Sequence, residues 1–385
     1  MSIDIAYVAA GKLHLKFGDA SPKQIESKFA REVRERLLRV EERNAWKTQG
    51  SGAQFMGGRL LWGMQAKPDE TTAVQVRGIS RGVESAHVLY SLGGDQIGGL
   101  FSFDPETTEE RRLVHGTNHV YDDLSLHREL GLLACSVPKR DFSRCIAVMK
   151  SDLSDYGEAT EGDSIDQAPS WVPGEGKQLV FESAGIARNH AGAFAGMAPS
   201  VIHRLDVDNG ELQVVAEDGG SDLTHPRVGS DGSLYYIRRP HTATPRPSFW
   251  RANLDFLLFP ARLLFAIMQF LNFFSARYSG KTLTTAGNAR QKGADMKQMM
   301  IWENLMTADQ DADPNEPKAL VPSSFQLIRQ RGVKTETIAK SVAAYDIAAD
   351  GAIVYSTGNA IYHLDASGKR TRVCEDQPIT NVIWL

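Results

Sequence analysis

At 385 residues and 42.4 kDa the chain is longer than one ordinary compact domain, yet it suits a single large repeat architecture. Hydrophobic residues at 42 % and charged residues at 23 % exclude wholesale disorder, and a net charge of -4, from 43 basic and 47 acidic groups, excludes a general polyanion binder, so no nucleic-acid partner is expected. Three cysteines (Cys135, Cys145, Cys374) are too few for a disulfide framework and fit a reducing compartment.

Met1–Leu15 has Asp4 early, no Lys or Arg before Lys12 and only a short apolar run, unlike a secretory leader. It reads as strand, turn at Gly11, strand, with a cytoplasmic location expected, membrane-associated if an anchor exists elsewhere in the chain. Residues 22–43 are strongly charged, with Ile25, Phe29, Val33, Leu37 and Leu38 near i, i+4 spacing. That spacing predicts an amphipathic connector helix of about five turns, packed on the body or docking a partner.

Beyond it the chain repeats itself. One unit is an apolar strand ending in Asp, a turn and a polar strand: Leu100–Val114, Val201–Val215 and Ile361–Val373. It follows a second unit, a strand entering a Gly-containing turn and leaving in a β-branched or aromatic run: Pro169–Phe181, Pro226–Ile237 and Tyr345–Tyr355. Together they make a four-stranded antiparallel blade, which cannot bury both faces alone and stacks around an axis. Blades fall near 75–117, 118–163, 164–220, 221–340 and 342–377. Ile379–Leu385 has no hairpin partner and the N-terminal strands lack an inner one, so the two ends share a blade. The fold class expected is all-β, a six-bladed β-propeller spanning 1–385, or seven-bladed if Asn44–Gln75 supplies a further blade.

The segments PSWVPGEGKQLVF and PRVGSDGSLYYI, each followed by IHRLD-type strands, resemble the TolB-like, WD-type repeat with its P-x-W-S-P-D-G-K-x-I-x-F pattern. The likeness covers 118–250 and 340–385 well and the N-terminal third poorly. Its turn core is degenerate at Val172–Gly176, Gly229–Gly232 and Ala348–Gly351. The resemblance implies a propeller and no activity, because the motif residues are turn and core residues.

Residues 249–323 interrupt the fourth of these blades and are too many for a passive loop. Within them Phe256–Phe274 is an apolar stretch with Arg262 as its one charge, 275–300 is basic, and 306–322 is an acidic, Pro-containing loop expected to lie in solvent. As a helix, 256–274 would reach about 28 Å. However, Arg262, Gln269, Asn272 and Pro260 oppose insertion, and both ends return to one blade, so a single crossing is excluded. Three readings stand: a helical hairpin folded on its own propeller, a surface docking a second subunit, or a membrane-surface anchor. The residues expected to dock a partner or membrane are Phe256, Leu257, Phe259, Leu263, Leu264, Phe265, Ile267, Phe270, Leu271, Phe273, Phe274, Arg277 and Lys281.

Chemical motifs mostly fail. Gly78–Gly82 matches G-x-S-x-G, but a strand rather than a helix follows. Ser279–Thr282 resembles the end of a phosphate loop, but Ser275 stands where its first Gly is needed. The segment starting at Asp206 resembles a calcium loop but has Glu211 at its sixth position, where Gly is needed, and reads as a hairpin. His115 and His119 lack a paired Glu for zinc, and His14, His203 and His363 recur at one register, which suits packing. No metal or other cofactor is expected.

One site class survives, the axial mouth, where Asp122 and Asp123, and above all Asp166, Asp222, His225 and Asp346, stand near the starts of inner strands. Such acids either cap turns or ring a channel that holds a cation or cationic peptide. The leading expectation is a non-catalytic scaffold for protein–protein assembly, by analogy beside an ATPase-containing complex. The alternative is a metal-dependent hydrolase or lactonase with an axial site.

Overall fold

The structure, a computed structural model, describes residues 3–48, 74–241 apart from 85, 95, 96, 118, 175 and 191, then 298–301, 304–307 and 317–385. The chain divides into two units, Met1–His241 with Met299–Leu385, and Thr242–Gln298. The second lies outside the described residues apart from Gln298, and with it all thirteen expected docking residues, Phe256 to Lys281. The first is nearly all β.

It opens with β1 (Ile5–Ala9), β2 (Lys12–Lys16) and β3 (Lys23–Ile25), an antiparallel run, followed by α1 (Lys28–Thr48). The helix starts later than its charge pattern suggests. Lys23–Ile25 pairs with β2 instead, Ile25 opposite Leu13 and Lys23 opposite Leu15. Ser27 then caps the helix, accepting from the Ala30 N–H at 3.3 Å. Glu110 adds a cap from across the fold: the Lys28 N–H donates to it at 2.7 Å and the Ser27 hydroxyl at 2.5 Å, placing a carboxylate at the positive end of the helix. Phe29 is buried against Phe101, ring centroids 5.1 Å apart.

Next come β4 (Gln75–Arg81), β5 (Val88–Gly93), β6 (Gly98–Asp104) and β7 (Glu109–Gly116) in one four-stranded sheet. The residues that would supply a seventh blade lie in α1 up to Thr48 and then outside the described residues until 74. A nine-stranded sheet follows: β8 (Asp122–His127), β9 (Leu132–Pro138), β10 (Arg144–Lys150), β11 (Gly157–Glu158), β12 (Ser164–Trp171), β13 (Gln178–Arg188), β14 (Phe194–Met197), β15 (Val201–Asp206) and β16 (Leu212–Ala216). Its two halves meet at one parallel bridge, Arg144 to Ile165, so each half is itself a blade-like meander.

β17 (Ser221–Val228) and β18 (Leu234–Pro240) precede the two-stranded pair β19 (Gln298–Ile301) and β20 (Asn304–Thr307). β21 (Gln326–Arg331) and β22 (Lys334–Lys340) then complete the sheet of β17 and β18, and β23 (Ala344–Ile347), β24 (Ile353–Ser356), β25 (Ala360–Leu364) and β26 (Arg370–Glu375) form another. Of the segment 306–322 read as an acidic solvated loop, 308–316 with its four acids lie outside the described residues, and only its two flanks are described. Residues 304–307 are strand, and Leu320 donates its N–H to the Thr357 carbonyl at 2.9 Å while Val321 is fully buried beside Ala343. The apolar Leu320-Val321 pair anchors the return of the chain.

The last strand, β27 (Ile379–Trp384), pairs with β1, Tyr7 opposite Val382, so both ends of the chain share one sheet. Hairpin turns sit where Asp-Gly pairs predict, with Gly232 and Gly351 at φ of 74° and 86°, a region that side chains other than Gly and Asn avoid.

Alternation explains the apolar runs. A strand between two neighbouring sheets sends successive side chains to opposite cores. On β1, Ala6 and Val8 join β4–β6, while Ile5, Tyr7 and Ala9 join β23–β25. Leu179 and Phe181 of β13 pack with β9 and β10, and Val180 packs with β17, β18 and β21. Tyr235 and Ile237 of β18 turn to β23–β25 while Tyr236 turns back to β13 and β15. A further core joins β5 and β6 to β8–β10, which brings the series of sheets back to its start.

Candidate functional site

Strands β4, β8, β12, β17, β23 and β27 converge on a narrow axial cavity of about 30 Å³, room for about one water. Its walls are Ile79 from β4, Asp123 and Leu124 from β8, Ala168 to Ser170 from β12, His225 to Arg227 from β17, Ala344 and Tyr345 from β23, and Asn381 from β27.

Three of these strands share one irregularity. In β8 between Asp122 and Ser125, in β12 between Gln167 and Ser170, and in β17 between Thr224 and Arg227, the register shifts by a residue. Each bulge contains a non-glycine residue in the left-handed region: Asp123 at φ 52°, Ala168 at 52° and His225 at 53°. Such residues cost about 1–3 kcal/mol of local strain and persist where surrounding contacts fix them. The contacts are visible. The Ala168 N–H donates to Asp123 at 3.2 Å, and the His225 N–H to Glu182 at 2.5 Å. Tyr345 donates its hydroxyl to the His225 carbonyl at 2.7 Å. Gly78 of β4 leaves no room for a Cβ, which would lie 2.8 Å from the Asp123 nitrogen.

The charged groups around the axis are paired off between strands. Asp346 lies between Arg81 at 3.3 Å and Arg227 at 3.4 Å and also accepts the Trp384 N–H at 2.9 Å, which ties β4, β17 and β27 to β23. Asp222 meets His241 at 2.7 Å and Arg239 at 3.4 Å, and accepts the Ser200 N–H at 3.1 Å. Asp166 accepts the Ser183 hydroxyl at 2.6 Å. Arg144 reaches one oxygen of Asp122 at 2.7 Å, and the other oxygen of Asp122 is buried without a hydrogen bond. Of the residues expected at the mouth, Asp123 and His225 line the cavity, while Asp122, Asp166, Asp222 and Asp346 lie outside its walls. Among the described residues no three His, Cys, Asp or Glu side chains stand close enough to hold a metal ion.

Burial dominates the titration of this region. It raises the Glu182 carboxyl to about 7, although Gln167 at 2.5 Å and the His225 N–H favour its charged form. It raises Asp123 to about 6, with the negative charge of Asp122 adding to it. It drives His225 down to about 3, helped by the positive charges of Arg239 and Arg227. Chemically the arrangement fastens strands around the axis: acids meet guanidinium groups or backbone N–H groups already in place.

Arg81, Glu182, Arg227, Arg239 and Tyr345 escape sequence reasoning, because a partner up to 303 residues away leaves no local pattern. The dipeptides Ala168-Pro169 and His225-Pro226 are the one local signal, since proline removes a ladder donor and favours a bulge. The recurring histidines pack as their register suggests: His14 stacks on Tyr7 and His203 on Phe181, and His363 meets the edge of Trp384. Ser80 of the G-x-S-x-G match lies inside β4 and accepts the Leu126 N–H, and β5 follows it.

No protein-family model matches the chain, and no curated protein matches it. Solved structures do. TolB from Acinetobacter baumannii superposes with a TM-score of 0.52 at 10 % identity, covering 99 % of this chain and 66 % of TolB. A chain of the nidogen/laminin complex gives 0.52 at 7 % identity, covering 99 % and 97 %. Among the described residues no helix is long and apolar enough to cross a membrane. With its blade-like meanders, its shared terminal sheet and these likenesses, the chain has the fold of a TolB-like β-propeller.

Proposed function

We propose that this chain is a non-catalytic, six-bladed propeller scaffold for protein–protein assembly, cytoplasmic, with the insertion at 249–323 docking a second subunit or a membrane surface. One observation carries the reading: the acids of the axial mouth are already committed to holding blades together, Asp346 between Arg81 and Arg227 above all. A carboxylate so paired would have to give up both guanidinium groups to ligate a cation. The fold supports it as well, being shared with a chain solved in complex with another protein. Three free cysteines fit a reducing compartment. The apolar run Phe256–Phe274 with Arg277 and Lys281 beside it has the composition of an interface or of a membrane-surface anchor. By analogy the partner belongs to an ATPase-containing complex.

The test is twofold. Titration of the full chain with Mn²⁺, Ca²⁺ and Zn²⁺ by calorimetry is expected to find no stoichiometric site. A tight one-to-one site would favour the hydrolase or lactonase reading instead. A chain with 256–274 excised is expected to stay folded and to lose association with its partner or with anionic liposomes. Unfolding of the excised chain would make the segment core and end the docking reading.

A further inference from the structure

The propeller's outer strands differ in how they meet water. β3, β7, β22 and β26 each carry Lys, Arg or Glu (KQI, EERRLVHG, KTETIAK, RTRVCE). Charges on an edge strand hinder the docking of another chain. β16, the terminal strand of the nine-stranded sheet, reads LQVVA and carries none. Leu212 and Val214, two residues apart and therefore on one face, are 50 % and 53 % exposed. Val214 also borders an open cleft of about 570 Å³, which Tyr236, Gln330 and the fully exposed Val333 of the neighbouring sheet line.

We propose that the β16 edge and its cleft take an extended segment of a partner protein, apolar at alternate positions and basic at both ends, added as a further strand. Charge decides the occupant. β16 lies between exposed Glu211 and exposed Glu217, one at each end. A second copy pairing antiparallel about Val214 would set Glu211 against Glu217 of the copy twice, and like charges directly opposite destabilise a strand pair. A partner strand with Lys or Arg at its ends meets both acids favourably. The nearby cations are partly engaged: Lys177 holds Asp208 at 2.6 Å and Arg329 holds Glu336 at 2.5 Å, while Lys334 stands exposed beyond Val333. The proposal extends the scaffold reading without depending on what the insertion binds.

The experiment uses the full chain and two synthetic probes, a short peptide of alternating Val and Thr closed by Lys at each end, and the same peptide closed by Glu. Fluorescence anisotropy at low salt is expected to show the Lys-ended peptide binding about tenfold tighter or more, a preference that shrinks as salt screens the charges. Val214→Lys and Leu212→Lys, both at half-exposed positions, should each abolish that binding while the thermal unfolding midpoint holds. Excision of 256–274 should leave it unchanged, so the two docking surfaces fail separately. Equal binding of the two peptides, no binding of either, or binding that survives both Lys variants overturns the proposal. So does self-association of the wild type that Val214→Lys dissolves, which would assign the edge to a second copy.

Discussion

Removing the Asp346 carboxylate is expected to loosen the centre of the propeller. In Asp346→Ala the Trp384 N–H loses its acceptor, and Arg81 and Arg227 lose the charge between them. Breaking a buried ion pair by deleting one partner typically costs about 3–5 kcal/mol, since the other charge stays buried. Here the arginine side chains remain 36 % and 29 % exposed, so water recovers part of that cost. The loss expected is about 2–4 kcal/mol. Asp346→Asn keeps an acceptor for Trp384 and should lose about half as much. Urea unfolding at neutral pH, followed by tryptophan fluorescence, measures both. A cycle with Arg81→Gln isolates the pair and should show coupling of about 1 kcal/mol or more. If Asp346→Ala costs less than about 0.5 kcal/mol, the size of an ordinary surface change, the axial acids are not fasteners and the argument against a ligand site loses its basis.

Other expectations follow from the same geometry. Gly78→Ala places a Cβ 2.8 Å from the Asp123 nitrogen and should cost about 1–3 kcal/mol in urea unfolding, because backbone is what it meets. Stability against pH should fall gently through mildly acid solution, because two buried acids, Glu182 and Asp123, outweigh the buried His225 imidazole. His225, at about 3 in the fold against 6.5 ordinarily, makes stability rise with pH across that interval. Glu182, at about 7 against 4.5, and Asp123, at about 6 against 3.8, make it fall across their own intervals. Glu182→Gln removes one of the two falling trends, so the decline of the unfolding midpoint from pH 4.5 to 6.5 should flatten relative to the wild type, and an unchanged slope would refute the assignment. Val321→Ala removes two methyl carbons from a fully buried site and should cost about 1–3 kcal/mol, which checks that the insertion's return is anchored rather than solvated.

The repeat was legible because blade physics is local. Asp231-Gly232 and Asp350-Gly351 mark turns, and runs such as Leu179–Phe181 are apolar on both faces because they serve two cores. The sharing of a sheet by β1 and β27 was legible for a simpler reason: an apolar strand left over at each end needs a partner. Lys23–Ile25 misled, since its charges suit a helix as well as an edge strand and only the pairing with β2 decides. At the axis, Asp123 and His225 were findable as polar residues at strand starts. What holds the axial groups in place was not, because Glu182 accepts the His225 N–H from a second strand 43 residues away and Arg81 reaches Asp346 across 265. Local pattern carries turns and faces, whereas the pairing of charges is settled only when the sheets come together.

The central claim is that the head and tail of the chain close the ring by sharing a sheet. Amide hydrogen exchange on the intact chain measures it directly. Ile379, Val382 and Ile383 are buried and β27 is laddered to β1, so the amides of Ile379–Trp384 and Ile5–Ala9 should exchange as slowly as those of β13 and open together. Rapid exchange of Ile379–Trp384 while β13 stays protected would contradict the closure and the account built on it.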